Sequence, residues 1–228
     1  MVGRSRAPNR DARTRCGRAP APPEALTKLC GYPDSVSRFP CVIVIVLAVV
    51  LGLAACSGNA AESFDPNGPC TTDGSASGAY PELEARLPTS FLGAKPDRLD
   101  SGRHCSAAAL GSLATLGFSE IRFAGGTWTF GAERAAALVV FSAPGLTADA
   151  IADFYLSGAL AAGRTQVLAG FRPTLDGRPG RRLDTKTGER LQTVEVWPAA
   201  AADLVNVVIT NDLPDSRIAD AVDAFAGK

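Results

Sequence analysis

Histidine is almost absent from this chain: among 228 residues, His104 is the single one. A Ser-His-Asp hydrolase would need His104 as its base, and no G-x-S-x-G turn supplies a nucleophile for it. Zinc peptidases require two histidines four residues apart, which one histidine excludes. The glycine-rich sequences that cradle nucleotide phosphates are missing as well. The sequence therefore predicts no catalytic residue, no metal site and no cofactor, and we expect His104 to be a polar surface residue.

An excess of basic residues is also lacking, because 23 Lys and Arg residues balance 23 Asp and Glu residues. The two ends differ, since eight Lys or Arg but only three Asp or Glu precede Cys56, which leaves the rest of the chain acidic. A protein that binds nucleic acid needs a basic stripe to displace the phosphate counterions. We therefore predict no nucleic-acid partner.

No apolar run is long enough to cross a bilayer easily. The longest, "VIVIVLAVVLGLAA", covers the 14 residues Val42–Ala55, whereas a spanning helix takes about 20. A run of this length, with Arg38 before it, is typical of the hydrophobic segment of a signal peptide. The alternative is a short buried helix that ends at a cysteine.

The end of this run carries a recognisable motif. Leu53, Ala54, Ala55 and Cys56 resemble a bacterial lipobox, in which Leu and two small residues precede the modified cysteine. The resemblance implies a bacterial lipoprotein: diacylglycerol is transferred to the Cys56 thiol, the chain is cleaved before Cys56, and the new terminus is N-acylated, for example with palmitate. It also implies a location at the cell membrane, where the lipid anchor holds the protein on the extracytoplasmic face.

Three segments are predicted on this basis. Residues 1–55 form a signal peptide with a long, disordered Arg- and Pro-rich extension, and a translation start at Val36 instead of Met1 is an alternative that would leave a compact leader. Residues 56–79 carry the lipid and a flexible linker rich in small polar residues. Residues 80–228 form a single extracytoplasmic domain, which is long enough to bury a sizeable core.

Two cysteines remain for the exported body, Cys70 and Cys105. A disulfide is the default interpretation of such a pair in an exported protein. Closing a loop of this size should stabilise the fold by roughly 3–4 kcal/mol. The alternative is a metal site that includes the neighbouring His104, but this set lacks the fourth ligand that structural zinc requires.

The pattern of apolar residues predicts an α+β fold, a mostly antiparallel sheet with helices packed on one face. Ser106 and Thr147 are expected to cap helices, and a hairpin is expected to turn at Thr187-Gly188. A similar order of elements before and after Pro144 leaves open the alternative of two similar halves. The body loosely resembles extracytoplasmic lipoproteins of high-GC bacteria in "PELEARLP", "TLDGRPGRRLD" and "RIADAVDAFAG". That resemblance implies no activity.

The densest charge lies in "FRPTLDGRPGRRLD", where Arg172, Arg178, Arg181 and Arg182 stand close to two aspartates. These four arginines are the candidate binding surface for an anion or a partner, such as a lipid headgroup, a phosphate-bearing wall polymer or an acidic protein. The alternative is an ordinary turn with alternating charges.

Two further groups of residues are candidates. The pairs Asp149/Asp153 and Asp97/Asp100 could serve a hydrolase as acid and base, although solvated surface acids are the more common interpretation. Six aromatic residues could line a lipophilic cavity or simply form core: Trp128, Phe130, Phe141, Phe154, Tyr155 and Trp197. The predicted function is a membrane-anchored interaction or accessory module without enzymatic activity. The alternatives are a carrier or sensor of a lipophilic or anionic small molecule and a carboxylate-dependent hydrolase.

Overall fold

A computed structural model describes residues 64–131, 133–172 and 179–225, apart from the side chains of Phe171 and Arg172. The predicted signal peptide and Cys56 lie outside these ranges. The described residues contain eight strands and five helices. In chain order these are β1 (Gly74–Ala76), α1 (Pro81–Glu84), β2 (Arg98–His104), α2 (Ala107–Leu110), α3 (Ser112–Thr115), β3 (Ile121–Thr129), β4 (Ala135–Ser142), α4 (Ala148–Ala161), β5 (Thr165–Arg172), β6 (Arg181–Thr187), β7 (Arg190–Pro198), β8 (Leu204–Asn211) and α5 (Asp215–Ala224).

All eight strands belong to one antiparallel sheet, in the order β1-β2-β3-β4-β8-β7-β6-β5. Strands β1 to β4 pair with their neighbours in the chain, and so do β5 to β8. The two four-stranded meanders meet where β4 pairs with β8. The predicted α+β fold class with a mostly antiparallel sheet is confirmed.

The two central strands bury both of their faces, because almost every position in them is apolar. In β4, Val139 and Leu138 are fully buried on opposite faces, and Val207 and Val208 do the same in β8. We call the face that carries Val139 and Val207 the α4 face, and the face that carries Leu138 and Val208 the α5 face. A strand that is buried on both sides reads as a continuous apolar run, as these do.

The helices cover both faces of the sheet, and the expectation that they pack on one face is wrong. Leu110, Leu113 and Ile151 bring α2, α3 and α4 onto the α4 face. Leu83 and Val222 bring α1 and α5 onto the opposite face. The physical reason lies in β4 and β8, since a single layer of helices would leave one of their apolar faces in water.

Two helix caps form as predicted. The Ser106 hydroxyl accepts a hydrogen bond from the Ala109 amide at 3.1 Å, and the Thr147 hydroxyl accepts one from the Ala150 amide at 3.2 Å. The helix expected after Cys105 is divided into α2 and α3 at Gly111, whose φ of 51° suits glycine.

The segment predicted as a linker belongs to the folded body from Phe64 onward. We call residues 64–76 the arm; it ends in β1, which pairs with β2 at the edge of the sheet. Gly74 is needed within it, because a Cβ at this position would overlap the Phe64 ring. The small polar residues that suit a flexible linker also suit a chain held by main-chain contacts, and sequence composition does not distinguish the two.

Candidate functional site

A disulfide joins Cys70 to Cys105, as the sequence predicts, with the Cα atoms 5.5 Å apart. It fastens the arm to the residue that follows β2. Because the two sulfur atoms are bonded to each other, neither cysteine can serve as a thiolate ligand in the alternative metal site with His104. Within the described ranges, no group of three or more His, Cys, Asp and Glu residues is arranged to hold a metal ion.

Arg103, a buried residue of β2, holds the arm from the sheet side. Its guanidinium donates hydrogen bonds to the carbonyls of Gly68 at 2.7 Å and Pro69 at 2.9 Å. Two longer bonds reach the carbonyls of Asp65 at 3.2 Å and Pro66 at 3.4 Å. Hydrogen bonds from a charged donor are stronger than neutral ones. Arg103 therefore fixes the arm independently of the disulfide.

The start of the arm contributes Phe64 to a pair of aromatic rings that lies between two guanidinium groups. The Arg103 guanidinium lies 5.4 Å from the centroid of the Phe64 ring, which lies 6.5 Å from that of Tyr80. The Arg122 guanidinium lies 5.0 Å from the Tyr80 centroid on the other side. We call Arg103, Phe64, Tyr80 and Arg122 the ladder. Each cation–π contact adds about 0.5–1 kcal/mol at an exposed site.

Asp73 fastens the other end of the arm to the start of α2. Its carboxylate accepts hydrogen bonds from the Cys105 amide at 2.6 Å, the Ser106 amide at 2.9 Å and the Ser106 hydroxyl at 2.5 Å. Burial acts to raise the pKa of Asp73, but these hydrogen bonds outweigh it and lower the pKa. Asp73 therefore holds the corner next to the disulfide in its charged form.

His104 differs from the expected surface residue, because its ring is half-buried and stacks on Phe123. The ring centroids are 4.8 Å apart and the planes are inclined by 21°. Burial lowers the pKa of His104, although the nearby Asp73 acts in the opposite direction. Among the described residues its Nδ1 has no hydrogen-bond partner. The neutral imidazole thus serves as part of the apolar packing on the α4 face.

A buried polar cluster lies on the α5 face of β6 and β7. Arg182 Nε stands 2.9 and 3.1 Å from the two carboxylate oxygens of Asp184, and 3.8 Å from Oε1 of Glu195. Its Nη2 donates to Asp215 at 2.8 Å. The Thr193 hydroxyl donates to Asp184 at 2.7 Å. We call these five residues the Arg182 cluster.

The cluster couples the sheet to the start of α5. Burial acts to lower the pKa of Arg182, but its bonds to Asp215 and Asp184 outweigh it and raise the pKa. Asp215 lies in the first turn of α5, where a negative charge is also favoured by the helix dipole. A guanidinium among three carboxylates is held in place by strong, directional hydrogen bonds. The arrangement is a structural ion network that fixes one helix end.

The two predicted arginines whose side chains the structure describes, Arg181 and Arg182, do not share a surface. Arg181 and Arg182 are neighbours in β6 and therefore point to opposite faces. Arg181 pairs with Asp149 of α4 at 3.0 Å, whereas Arg182 lies in the buried cluster. One anion cannot contact both guanidinium groups across the sheet. The Arg172 side chain and Arg178 lie outside the described part of the chain.

The predicted carboxylate pairs are used mostly in structural contacts. Asp149 binds Arg181, Asp97 accepts the main-chain N–H of Thr129 at 2.7 Å, and Asp100 accepts a hydrogen bond from the arginine at the start of β2 at 2.6 Å. Asp153 is exposed on α4. None of these contacts among the described residues joins one of the acids to another, so the contacts do not identify an acid and base pair.

The six aromatic residues divide between the two faces of the sheet, so they do not line a common cavity. Those on the α4 face are Phe141, Phe154 and Tyr155; those on the α5 face are Trp128, Phe130 and Trp197. Trp128 is only 1% exposed, and its indole N–H donates to the Ala94 carbonyl at 3.0 Å. The core interpretation of these residues therefore fits the structure.

An open groove of about 300 Å³ lies beside the ladder. Its lining is Glu82, Leu83, Arg86, Arg122, Ser142, Ala201, Ala202 and Leu204. The Arg122 Nε donates a hydrogen bond to the Glu120 carboxylate at 2.8 Å, and this hydrogen bond raises the pKa of Arg122. Arg86 is exposed at the rim. The groove therefore presents two guanidinium groups and a nearby carboxylate to solvent.

Arg103 and two of the acids around Arg182, Glu195 and Asp215, were not predicted from the sequence. A signal for the second group exists, since Arg182 and Asp184 alternate on one strand as Thr193 and Glu195 do on the next. No comparable signal marks Arg103, because its partners are main-chain carbonyls of a segment without periodicity.

None of the described helices is long and apolar enough to span a bilayer. Comparisons with protein-family models, with curated proteins and with solved structures each gave no match. The chemistry of the site must therefore be interpreted from its own residues.

Proposed function

We propose that the mature protein is a lipoprotein anchored through Cys56 to the extracytoplasmic face of the cell membrane, and that its body is an interaction or accessory module without enzymatic activity. The observation that carries this proposal is the disulfide between Cys70 and Cys105. Disulfides form and persist in oxidising compartments, where a lipobox-like leader would deliver the chain. The anchor and the disulfide thus support the same location from separate residues.

The arm gives the anchor a defined place of attachment. Residues 57–63 are all that separates the proposed lipid on Cys56 from Phe64, the first residue that the structure describes, which packs on Tyr80. A flexible chain of this length has a root-mean-square reach of about 15 Å. Triacylation would hold the membrane firmly, since each buried CH₂ adds about 0.8 kcal/mol. The body would then remain next to its membrane.

The buried polar residues make structural contacts, which supports the proposal of a binding module in preference to an enzyme. Arg103 holds the arm and Arg182 holds α5, while the only histidine stacks on Phe123. The aromatic residues fill the two layers of core, whereas a carrier of lipophilic molecules needs a cavity of several hundred Å³ between sheet and helices. A protein, a cell-wall polymer or a lipid surface remains the class of partner that this body would serve.

Mass spectrometry of the protein purified gently from its own membrane tests the proposal. The denatured mass should equal that of residues 56–228 with acyl chains and two hydrogens fewer. The matched control is Cys56→Ala, which should accumulate uncleaved or appear without lipid. A wild-type mass that includes the apolar segment Val42–Ala55 would contradict the anchor, and a native mass with a small-molecule adduct would favour the carrier.

A further inference from the structure

We propose that the groove beside the ladder contacts the phospholipid headgroups of the membrane that holds the anchor, so that one end of the sheet faces the lipid and the other end faces away. This inference rests on the proposed lipid anchor at Cys56. The proposed partner of the groove is the phosphate-bearing headgroup layer, which the guanidinium groups of Arg86 and Arg122 would contact.

The register of the sheet places the groove next to the start of the arm. Arg103 of β2 lies opposite Arg122 of β3, Arg122 lies opposite Ser142 of β4, and Ser142 lies opposite Leu204 of β8. These four residues form one row across neighbouring strands at one end of the sheet, which we call the arm end. Phe64 packs on Arg103 in the same row. Because strands lie about 4.8 Å apart, Arg122 in the groove is one strand, about 5 Å, from Arg103, on which Phe64 packs.

The contacts of the ladder connect the start of the arm directly to the groove. Phe64 contacts Tyr80, and Tyr80 lies under the guanidinium of Arg122, which lines the groove. We call residues 57–63, between the proposed lipid on Cys56 and Phe64, the tether. A single aromatic ring, that of Tyr80, therefore separates Phe64, where the tether joins the body, from the Arg122 guanidinium. A membrane that holds the tether lies within reach of Arg122.

The groove has the mixed charge that a phospholipid headgroup layer requires. Arg86 and Arg122 supply two guanidinium groups, which bind phosphate oxygens through charge-assisted hydrogen bonds. Ser142 adds a hydroxyl, and Glu82 offers a carboxylate for the ammonium group of a zwitterionic headgroup. Each arginine near an anionic leaflet contributes about 1 kcal/mol to membrane attraction. The overall acidity of the body opposes binding elsewhere on its surface.

The length of the tether disfavours the opposite orientation. The far end of the sheet, where β6 turns into β7 at Gly188, lies about 30 Å along the strands from the arm end and several strands across. Eight peptide steps from Cys56 to Phe64 span at most about 27 Å when fully extended. Even when fully extended, this stretch is too short to bring the Gly188 turn to the lipid.

A photo-crosslinking experiment on the lipid-modified protein in its own membrane tests the inference. Ala202→p-benzoylphenylalanine places the probe at an exposed position of the groove, and Glu189→p-benzoylphenylalanine places it at the far turn, where the side chain is 97% exposed. After irradiation, intact-mass analysis of the purified protein reports phospholipid adducts. We expect adducts from position 202 and none from position 189.

The charge requirement is tested in the Ala202 probe background. Arg86→Ala should lower the adduct yield about fivefold, as one arginine near an anionic surface does. The matched control is Arg217→Ala, an exposed arginine of α5 that lies outside the groove and should leave the yield unchanged. Equal yields with and without Arg86 would overturn the headgroup contact.

The outcomes distinguish this inference from the proposed function. If the denatured mass lacks acyl chains, the anchor itself is wrong. If the protein is acylated but position 189 forms adducts as readily as position 202, or if neither position does, the anchor stands and the orientation is overturned.

Discussion

Replacing Arg182 by alanine should destabilise the fold far more than replacing Arg181, although the two arginines are adjacent in β6. Their side chains point to opposite faces and meet different environments. The Arg182 side chain is 8% exposed and faces Asp184 at 10% and Glu195 at 0%. Arg181 is 48% exposed and its partner Asp149 is 70% exposed.

The expected magnitudes follow from these exposures. Removing one member of a buried ion pair typically costs 3–5 kcal/mol, because the opposite charge stays buried. The contact with Asp215 adds little, since that carboxylate is 71% exposed and water can replace the guanidinium. We expect Arg182→Ala to lower the free energy of unfolding by about 4 kcal/mol, against less than about 1 kcal/mol for Arg181→Ala. A loss of the larger size is a substantial part of the 5–15 kcal/mol that domains possess.

Urea unfolding of the detergent-solubilised protein, followed by the fluorescence of Trp128 and Trp197, measures both variants. Arg182→Lys keeps the positive charge but loses the planar fork, so we expect an intermediate loss. If Arg181→Ala and Arg182→Ala shift the unfolding midpoint equally, the assignment of Arg182 to a buried structural network is refuted.

Three further predictions concern the corner that holds the arm. The double variant Cys70→Ser, Cys105→Ser should lose about 4 kcal/mol of unfolding free energy, as expected for opening a loop of this length, and wild type in reductant should match it in the same assay. Arg103→Ala should lose about 2–3 kcal/mol and expose residues 65–69 to protease while the disulfide stays intact; unchanged cleavage would show that the carbonyl contacts do not hold the arm. The pKa of His104 is lowered from 6.5 in the fold, so the stability that its neutral form supplies is present above pH 6.5 and is lost as the pH falls below it. His104→Phe keeps the stack and should lose less stability than wild type between pH 7 and about pH 5 in urea titrations, whereas equal losses would assign the acid sensitivity to other groups.

The features that the sequence predicted correctly are those set by local chemistry. The apolar run of β4 marks a central strand, and hydroxyl side chains mark the starts of α2 and α4. The turn between β6 and β7 follows from Gly188, whose φ of 62° suits glycine. The cysteine pair follows from elimination of the other cysteines. Each of these depends on a few consecutive residues or on a simple count.

β2 shows why other elements could not be predicted. Its sequence "RLDSGRH" lacks the alternation of a half-buried strand, yet Ser101 is fully buried and Arg103 nearly so. These polar groups are tolerated because the arm and α1 satisfy them: Glu84 accepts from the Ser101 hydroxyl at 2.8 Å, and arm carbonyls accept from Arg103. The partners lie far away in the sequence, and only the assembled fold brings them together.

Part of the Arg182 cluster could be predicted from the sequence. Alternation along β6 and β7 places Arg182, Asp184 and Glu195 on one face once the hairpin is assumed. The contribution of Asp215 could not be predicted, because it depends on where α5 returns across the sheet after β8. Arg181 faces α4 for the same reason of tertiary placement, so these two arginines, adjacent in the sequence, do not make one surface.

The seam between β4 and β8 has a consequence for the order in which the sheet can close. Every other strand pairing joins neighbours in the sequence, but Ser142 of β4 pairs with Leu204 of β8, about 60 residues later in the chain. Until β8 pairs, a complete first meander would end in an apolar strand with an open edge, a template for joining another copy. We expect chains truncated before Leu204 to aggregate and chains that include β8 to stay monomeric, because only β8 covers the open edge of β4.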